Sequence, residues 1–275
     1  MTRKLRPVAA DAGRTLAEFL TTRLGEPAAE IAARIAGGSV FLDNRRVRDP
    51  QTRLVGGERV VVHQPPERTQ GFRIVHLDED TIVVDKPVGL PVQATRDGGG
   101  ALDEQVAALH PGARLVHRID RDTSGLVLFT RHPEAHRRFA ALLATGGLRR
   151  VYRAVVVGEP ETRELDFPIA PDPEDRRRFS VHDTGRPTRT RLRRLDAQGG
   201  RSLVELELVT GRTHQARVHL AHAGHPILGD PIYAPPEVRA LSPRLLLHSG
   251  TVHTTSVTWS EVPAFSEASW HKLPR

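Results

Sequence analysis

The sequence predicts an α+β fold: a mainly antiparallel, mixed β-sheet flanked by helices and loops, preceded by a smaller helix-and-strand module. Three observations carry this expectation. Strand-like runs outnumber helical ones and never settle into a regular strand–helix–strand alternation. The run "SLVELELV" sets Val204, Leu206 and Leu208 against Glu205 and Glu207, the period-two pattern of a strand with one wet face. The patterning also changes after "QPPERTQG", residues 64–71, a stretch of prolines, polar residues and a glycine that reads as a linker.

Taken in order, residues 14 to 36, "RTLAEFLTTRLGEPAAEIAARIA", predict two short helices. Leu16, Phe19, Leu20 and Leu24 fall at helical spacing, and Gly25 with Pro27 interrupts the run. "SVFLDNRRVRDPQTRLVGGERVVV" predicts short strands around turns at Asp43-Asn44 and Gly56-Gly57. Beyond the linker, "RIVHLDEDTIVVDKP" predicts a hairpin turning at Asp78-Glu79-Asp80. That acidic triplet is the kind of cluster a metal uses, but a solvated turn accounts for it. "ALDEQVAAL" and "HPEAHRRFAALLATG" predict helices, the second with Phe139, Leu142 and Leu143 on one side and Gly146 at its end. The expected domains are 1–63, then the linker 64–71, then 72–275.

The chain has 275 residues, 38% hydrophobic, enough for a real core. No apolar run approaches a membrane span, and the N-terminus lacks a secretory h-region, so a cytoplasmic location is expected. Cysteine is absent, which removes disulfides and thiolate metal sites. The net charge is +7, carried almost wholly by arginine, with Lys4, Lys86 and Lys272 the only lysines. An arginine-rich basic chain fits a phosphate-bearing partner, although coding bias alone produces such a composition too. Aromatics are only 4%, which argues against an extended base-stacking platform. Residues 1–63 hold eleven basic and seven acidic side chains, a net +4, and Arg45, Arg46 and Arg48 cluster beside a turn.

Common chemistries fail on spacing. His117, Asp120 and Ser124 share one short loop, whereas hydrolase triads assemble from distant segments, and the Gly-x-Ser-x-Gly elbow is missing. His214, His219, His222 and His225 do not form His-Glu-x-x-His, and no metal is expected. Their offsets place the last three on one helical side. No phosphate-binding loop and no dinucleotide fingerprint occurs, so no cofactor is expected.

What remains is Asp120 among arginines, with a tyrosine. "HRIDRDTSGL", residues 117–126, resembles the His-Arg-Leu-Asp-x-x-Thr-Ser-Gly-Leu motif of the RluA family of RNA pseudouridine synthases. "RVYRA" is similar to that family's Lys-x-Tyr-x-Ala segment, with Arg150 at the usual Lys. "TGRTHQARVHLAHAGHPILGDPIY" resembles its third motif, and "IVVDKPVGLPV" the opening of its catalytic domain. The resemblance covers about residues 72–264. Residues 14–63 more weakly resemble the small RNA-binding module of the ribosomal-protein S-four type.

The resemblance implies a pseudouridine synthase fold and the isomerisation of uridine in ribosomal or transfer RNA, with no cofactor. It implies Asp120 as the reacting carboxylate, whether toward sugar, base or a proton. By position Arg217 is its expected charge partner, with Arg212 second. Tyr152 is expected against the target base, and Leu246 as an apolar wall. Arg118 is expected either in the space a flipped base leaves or on phosphate. Arg45, Arg46 and Arg48 are expected to reach RNA, and the protein is expected to be a monomer. Two rivals are a non-catalytic RNA chaperone on the same fold and a metal-dependent hydrolase built on the histidines.

Overall fold

The computed structural model describes residues 2–36, 40–43, 45–63, 71–94, 100–175, 177–261, 263, 265 and 270. Asn44 and most of the expected linker, 64–70, lie outside them. The chain divides into two units. Residues 91–109, which the sequence places with the larger domain, group with the first unit instead, alongside residues 1–70.

The first unit contains β1 (Thr2–Leu5), α1 (Leu16–Leu24), α2 (Ala28–Ala36), β2 (Val40–Leu42), β3 (Arg45–Val47), β4 (Val60–His63) and α3 (Leu102–Leu109). Its strands form an antiparallel sheet in the order β1-β4-β2-β3. Both ends of α1 are written locally. Thr15 Oγ1 accepts the Glu18 amide at 3.2 Å while Glu18 Oε2 accepts the Thr15 amide at 2.9 Å, a reciprocal capping box. Gly25 closes the helix in the left-handed region. Leu16, Phe19, Leu20, Ile31 and Ile35 then pack on Val40, Val60 and Val62 as one core.

The second unit contains β5 (Arg73–Leu77), β6 (Thr81–Lys86), β7 (Arg114–Leu115), β8 (Ser124–Thr130), α4 (Pro133–Ala144), β9 (Arg149–Val157), β10 (Arg163–Asp166), β11 (Ile169–Pro171) and β12 (Phe179–Val181). It continues with β13 (Arg189–Gln198), β14 (Arg201–Leu208), α5 (Gln215–His222), α6 (Pro236–Arg239), β15 (Leu247–His253) and β16 (Thr258–Ser260). Its main sheet runs β10-β13-β14-β9-β15-β8-β6-β5, with β7 on β8 and β16 on β15. Every pairing in it is antiparallel except β15 with β8, so the α+β expectation with a mixed sheet holds. Strands β11 and β12 form a separate hairpin. Among the described residues no helix is long and apolar enough to cross a membrane.

The expected hairpin over 73–86 forms, and its acidic turn is structural. Asp78 Oδ1 accepts the Asp80 and Thr81 amides at 2.9 and 2.6 Å, and Asp80 pairs with Arg138 and His132. Helix α4 starts at His132-Pro133 and packs Phe139 with Leu126, Leu128 and Trp259. Gly125 sits inside β8 at φ +109°, opposite Ser249. A Cβ there would lie 2.3 Å from the Ser249 carbonyl oxygen, so the close parallel crossing of β8 and β15 requires glycine.

Candidate active site

The sheet delivers the charged loop to one place. Residues 116–123 connect β7 to β8, and the loop is anchored from beneath by Lys86 at the end of β6. Lys86 is fully buried, and its Nζ donates to the carbonyls of Pro87, Leu90 and Arg121 at 2.8, 2.8 and 2.9 Å. The Arg121 carbonyl also accepts the Gly89 amide at 2.9 Å, and the Arg121 guanidinium returns to the Gly89 carbonyl at 3.0 Å. The residue after Asp120 is thus held by backbone and side chain together. Burial pushes the Lys86 ammonium down to about 7, against the opposing pull of Asp122 and Asp120.

Asp120 is partly exposed, and its Oδ2 accepts from Nη1 of Arg217 at 3.3 Å. Arg217, on α5, is 1% exposed. Its other two nitrogens grip a second carboxylate: Nε reaches Asp230 Oδ2 at 2.8 Å and Nη2 reaches Asp230 Oδ1 at 2.7 Å. Burial works against the Arg217 charge, but the bonds and charge of Asp230, then the charge of Asp120, outweigh it and hold its pKa above the ordinary value. Asp230 is held below the carboxylate range although burial opposes this, because Arg217 and the amides of Ile232 and Tyr233 stabilise its charge.

A histidine completes the surroundings of Asp120. Nε2 of His214 lies 4.0 Å from Asp120 Oδ2. His214 caps α5 in the left-handed region, at φ +58°, a conformation that costs a non-glycine residue energy and is concentrated at functional sites. Its Nδ1 lies 2.8 Å from the Tyr233 hydroxyl, which also accepts the Phe179 amide of β12 at 2.9 Å. Burial lowers the His214 pKa more than Asp120 raises it, so the ring is neutral at pH 7.

Tyr152 is buried in β9 beside Ser249, with its phenol pushed upward by burial, and the charge of Asp120 reaches it. Arg150, at the position where Lys was expected, buries its guanidinium against Gly211 and donates to the Thr210 carbonyl at 3.4 Å. Arg118 is exposed. Arg212 is exposed too, and its amide donates to Gln215 Oε1; among the described residues no ion pair joins its guanidinium to Asp120. Leu246 is buried, its backbone bonded to Val155 and Leu228.

In the first unit Arg45 is exposed on β3, and the Arg46 side chain lies outside the described residues. Arg48 is already engaged: it donates to Glu104 at 2.5 Å and to the Ala36 carbonyl at 3.3 Å.

The other histidines serve the fold. His117 is buried, accepts the Leu128 amide at 3.3 Å and is driven down to about 3, so it stays neutral. Ser124 bonds His248 rather than His117, at 2.9 Å. His219 reaches Thr188 and the Phe167 carbonyl, and His225, beyond the end of α5 rather than on it, reaches the Val157 carbonyl. Among the described residues no three His, Asp or Glu side chains converge in a way that could hold a metal.

Sequence reasoning missed Asp230, Tyr233, His214 and Lys86 as parts of the site. The first two stand in "GDPIY", quoted only as a match. Lys86 carried a signal of its own: in "TIVVDK" it continues the buried set of Ile82 and Val84, where an ammonium has to find carbonyls.

Residues 80–222 match the family described as RNA pseudouridylate synthase. An uncharacterized RNA pseudouridine synthase of Chloroflexus aurantiacus is 48% identical over 160 residues, 57% of this chain and 50% of that protein. One from Zymomonas mobilis is 39% identical over 186 residues, 64% of this chain and 84% of that protein. Ribosomal large subunit pseudouridine synthase D of Escherichia coli is 36% identical over 211 residues, covering 70% of this chain and 64% of that protein. The aligned stretch therefore spans half of the first relative's length and most of the second's. Among solved structures, human RNA pseudouridylate synthase domain containing 1 superposes with a TM-score of 0.64 at 24% identity, covering 74% of this chain and 89% of that one.

Proposed function

Because the chain belongs to the RNA pseudouridylate synthase family, we propose that it isomerises uridine in RNA to pseudouridine, with Asp120 as the reacting carboxylate. The bond from the sugar to N1 of uracil breaks, the base turns, and a bond from the same sugar carbon to C5 forms. The proton leaving C5 is matched by one gained at N1, so the net change is zero and the reaction as written calls for no oxidant or reductant.

The observation that carries this reading is the placement of Asp120 on a partly exposed loop, 3.3 Å from a buried arginine. A carboxylate so placed accepts a hydrogen bond from the arginine while open to a base, and a carboxylate is a competent covalent catalyst at a sugar or at an electron-poor ring. Extruding a base costs a few kcal/mol of stacking, which contacts to phosphate offset. Tyr152 is read as the group that lies against the extruded base. Arg118, on the same loop, is read as the side chain that meets the RNA backbone or fills the vacated space.

The E. coli relative's name makes large-subunit ribosomal RNA the first substrate to test. We further read residues 1–63 as an RNA-docking module of the S-four type. Exposed Lys4, Arg6, Arg45 and Arg59 support that role.

The deciding experiment compares wild type with Asp120→Asn, using tritium release from RNA labelled at C5 of uridine. Asn keeps the size and removes the charge. The expected result is no release with RNA affinity preserved. Turnover by the pure variant refutes the assignment, and wild-type binding without any release on ribosomal or transfer RNA favours the chaperone reading.

A further inference from the structure

The turn from Asp230 to Tyr233 bonds both of the side chains that approach Asp120 from α5 and its cap, Arg217 and His214. We propose that this turn is the positioning element of the site: Asp230 aims Arg217, and Tyr233 aims His214, at the same oxygen of Asp120. The proposal rests on Asp120 being the reacting group.

The first arm is geometric. An arginine side chain has several rotatable bonds, and a single contact to Asp120 leaves most of them unfixed. Asp230 takes Nε and Nη2 together, at 2.8 and 2.7 Å, which sets the plane of the guanidinium. Only the Nη1 edge then faces Asp120. Asp230 is itself fixed, because its Oδ1 accepts the Ile232 and Tyr233 amides at 2.9 and 3.0 Å. The charges matter as well. Asp230 balances Arg217, so Asp120, Arg217 and Asp230 together carry −1. Arg217 thus orients Asp120 without cancelling the negative charge that the chemistry uses.

The second arm fixes a tautomer. The Tyr233 oxygen accepts the Phe179 amide at 2.9 Å, which leaves its own hydrogen for His214 Nδ1 at 2.8 Å. Burial raises the Tyr233 phenol to about 12, so this hydrogen stays in place at neutral pH. With Nδ1 occupied as an acceptor, the ring proton of neutral His214 sits on Nε2, the nitrogen 4.0 Å from Asp120 Oδ2. The same hydroxyl bonds the side chain of a residue whose backbone sits in the left-handed region at φ +58°. The two arms are in contact, since the Arg217 guanidinium lies 5.1 Å from the centre of the Tyr233 ring.

The test uses the full-length protein in single-turnover and steady-state assays on RNA, with Asp120→Asn, Asp230→Asn, Tyr233→Phe, Arg217→Met and the Arg217→Met/Asp230→Asn double variant. Misplacement of a reacting group by about 1 Å costs on the order of 100-fold. Asp230→Asn is therefore expected to lower kcat by about 10- to 100-fold with KM within about two-fold of wild type, the pattern of lost transition-state geometry. In the Arg217→Met background the same change is expected to cost nothing further, because its effect passes through Arg217. Tyr233→Phe is expected to lower kcat by about 3- to 10-fold with KM kept.

A folded Asp230→Asn with wild-type kcat overturns the proposal. So does an equal loss with and without Arg217, which is what a purely structural role produces. Should Asp230→Asn fail to fold, Tyr233→Phe decides: reduced kcat with KM kept supports the positioning role, and unchanged kcat overturns it. An active Asp120→Asn instead brings down the underlying reading. An inactive Asp120→Asn beside a fully active Asp230→Asn removes only the positioning role.

Discussion

Replacing Lys86 by Met tests how the charged loop is held. Lys86 is 0% exposed and donates to three carbonyls, one of them that of Arg121. Met fills similar volume and supplies no donor. Arg121 keeps the Gly89 amide, but Pro87 and Leu90 lose the Lys86 contact, at about 1–3 kcal/mol for each buried group left unmade. The charge works the other way and depends on pH. Burial lowers the Lys86 pKa from 10.5 to about 7, so between those values the unfolded chain binds more protons than the folded one. Stability therefore rises with pH across that window, and below about pH 7 the full cost of burying the charge is present. At about 1.4 kcal/mol per pH unit well inside the window, the stability of wild type relative to Lys86→Met should rise by about 2–3 kcal/mol from about pH 6.5 to about pH 9. Denaturant titrations of both proteins at the two pH values read this directly, because other titrating groups cancel in the difference. A gap that does not change with pH refutes the argument. Turnover by Lys86→Met should also fall, since the residue beside Asp120 loses one of the three bonds that hold it.

Three further outcomes follow from the geometry. Arg217→Lys keeps charge but cannot hold Asp230 with two nitrogens while reaching Asp120 with a third; single-turnover rates should drop by about 100-fold, and near-normal rates would show that the guanidinium plane is dispensable. Gly125→Ala places a Cβ 2.3 Å from the Ser249 carbonyl oxygen at φ +109°, so chemical denaturation should reveal a loss of about 2–4 kcal/mol, whereas a loss under about 1 kcal/mol would mean the strands part easily. Arg45→Gln in the first unit should lower RNA affinity and reduce the slope of log affinity against log salt by about 0.7–0.9, the signature of one lost phosphate contact; an unchanged slope removes Arg45 from the interface.

The sheet was legible because period-two patterning survives burial of one face, as in β14, and α1 because its capping box and Gly25 are local signals. The order of strands was not, since the pairing of β15 with β8 joins residues more than 120 positions apart with nothing local to announce it. In the site, Asp120 and Arg217 could be paired from the sequence by resemblance. Asp230 could not, because an acidic residue in "GDPIY" looks like any solvated turn until α5 folds over it and buries it to 1%. The left-handed His214 is nearly as silent: histidine adopts positive φ more often than most residues, but nothing local marks which of the chain's 14 histidines does so.

Arginine content also overstated how much of this surface is available to RNA. On the sheet of the second unit, Arg149 and Arg191 pair with Glu207, Arg153 and Arg193 with Glu205, and Arg189 and Arg191 with Glu164. Exposed pairs of this kind add little stability, about 0–1 kcal/mol each, yet their carboxylates cancel the field that would attract phosphate. The exposed face formed by β10, β13, β14 and β9 is therefore expected to point away from RNA. Removing Arg191 and Arg193 together, as Gln, should leave the salt dependence of RNA binding unchanged. Replacing Glu205 and Glu207 by Gln should instead unmask the arginines, raising non-specific affinity at low salt and steepening its salt dependence. If the arginine double variant flattens the slope by about 0.7–0.9 per residue, these side chains do meet phosphate, and the compensated sheet is part of the docking surface.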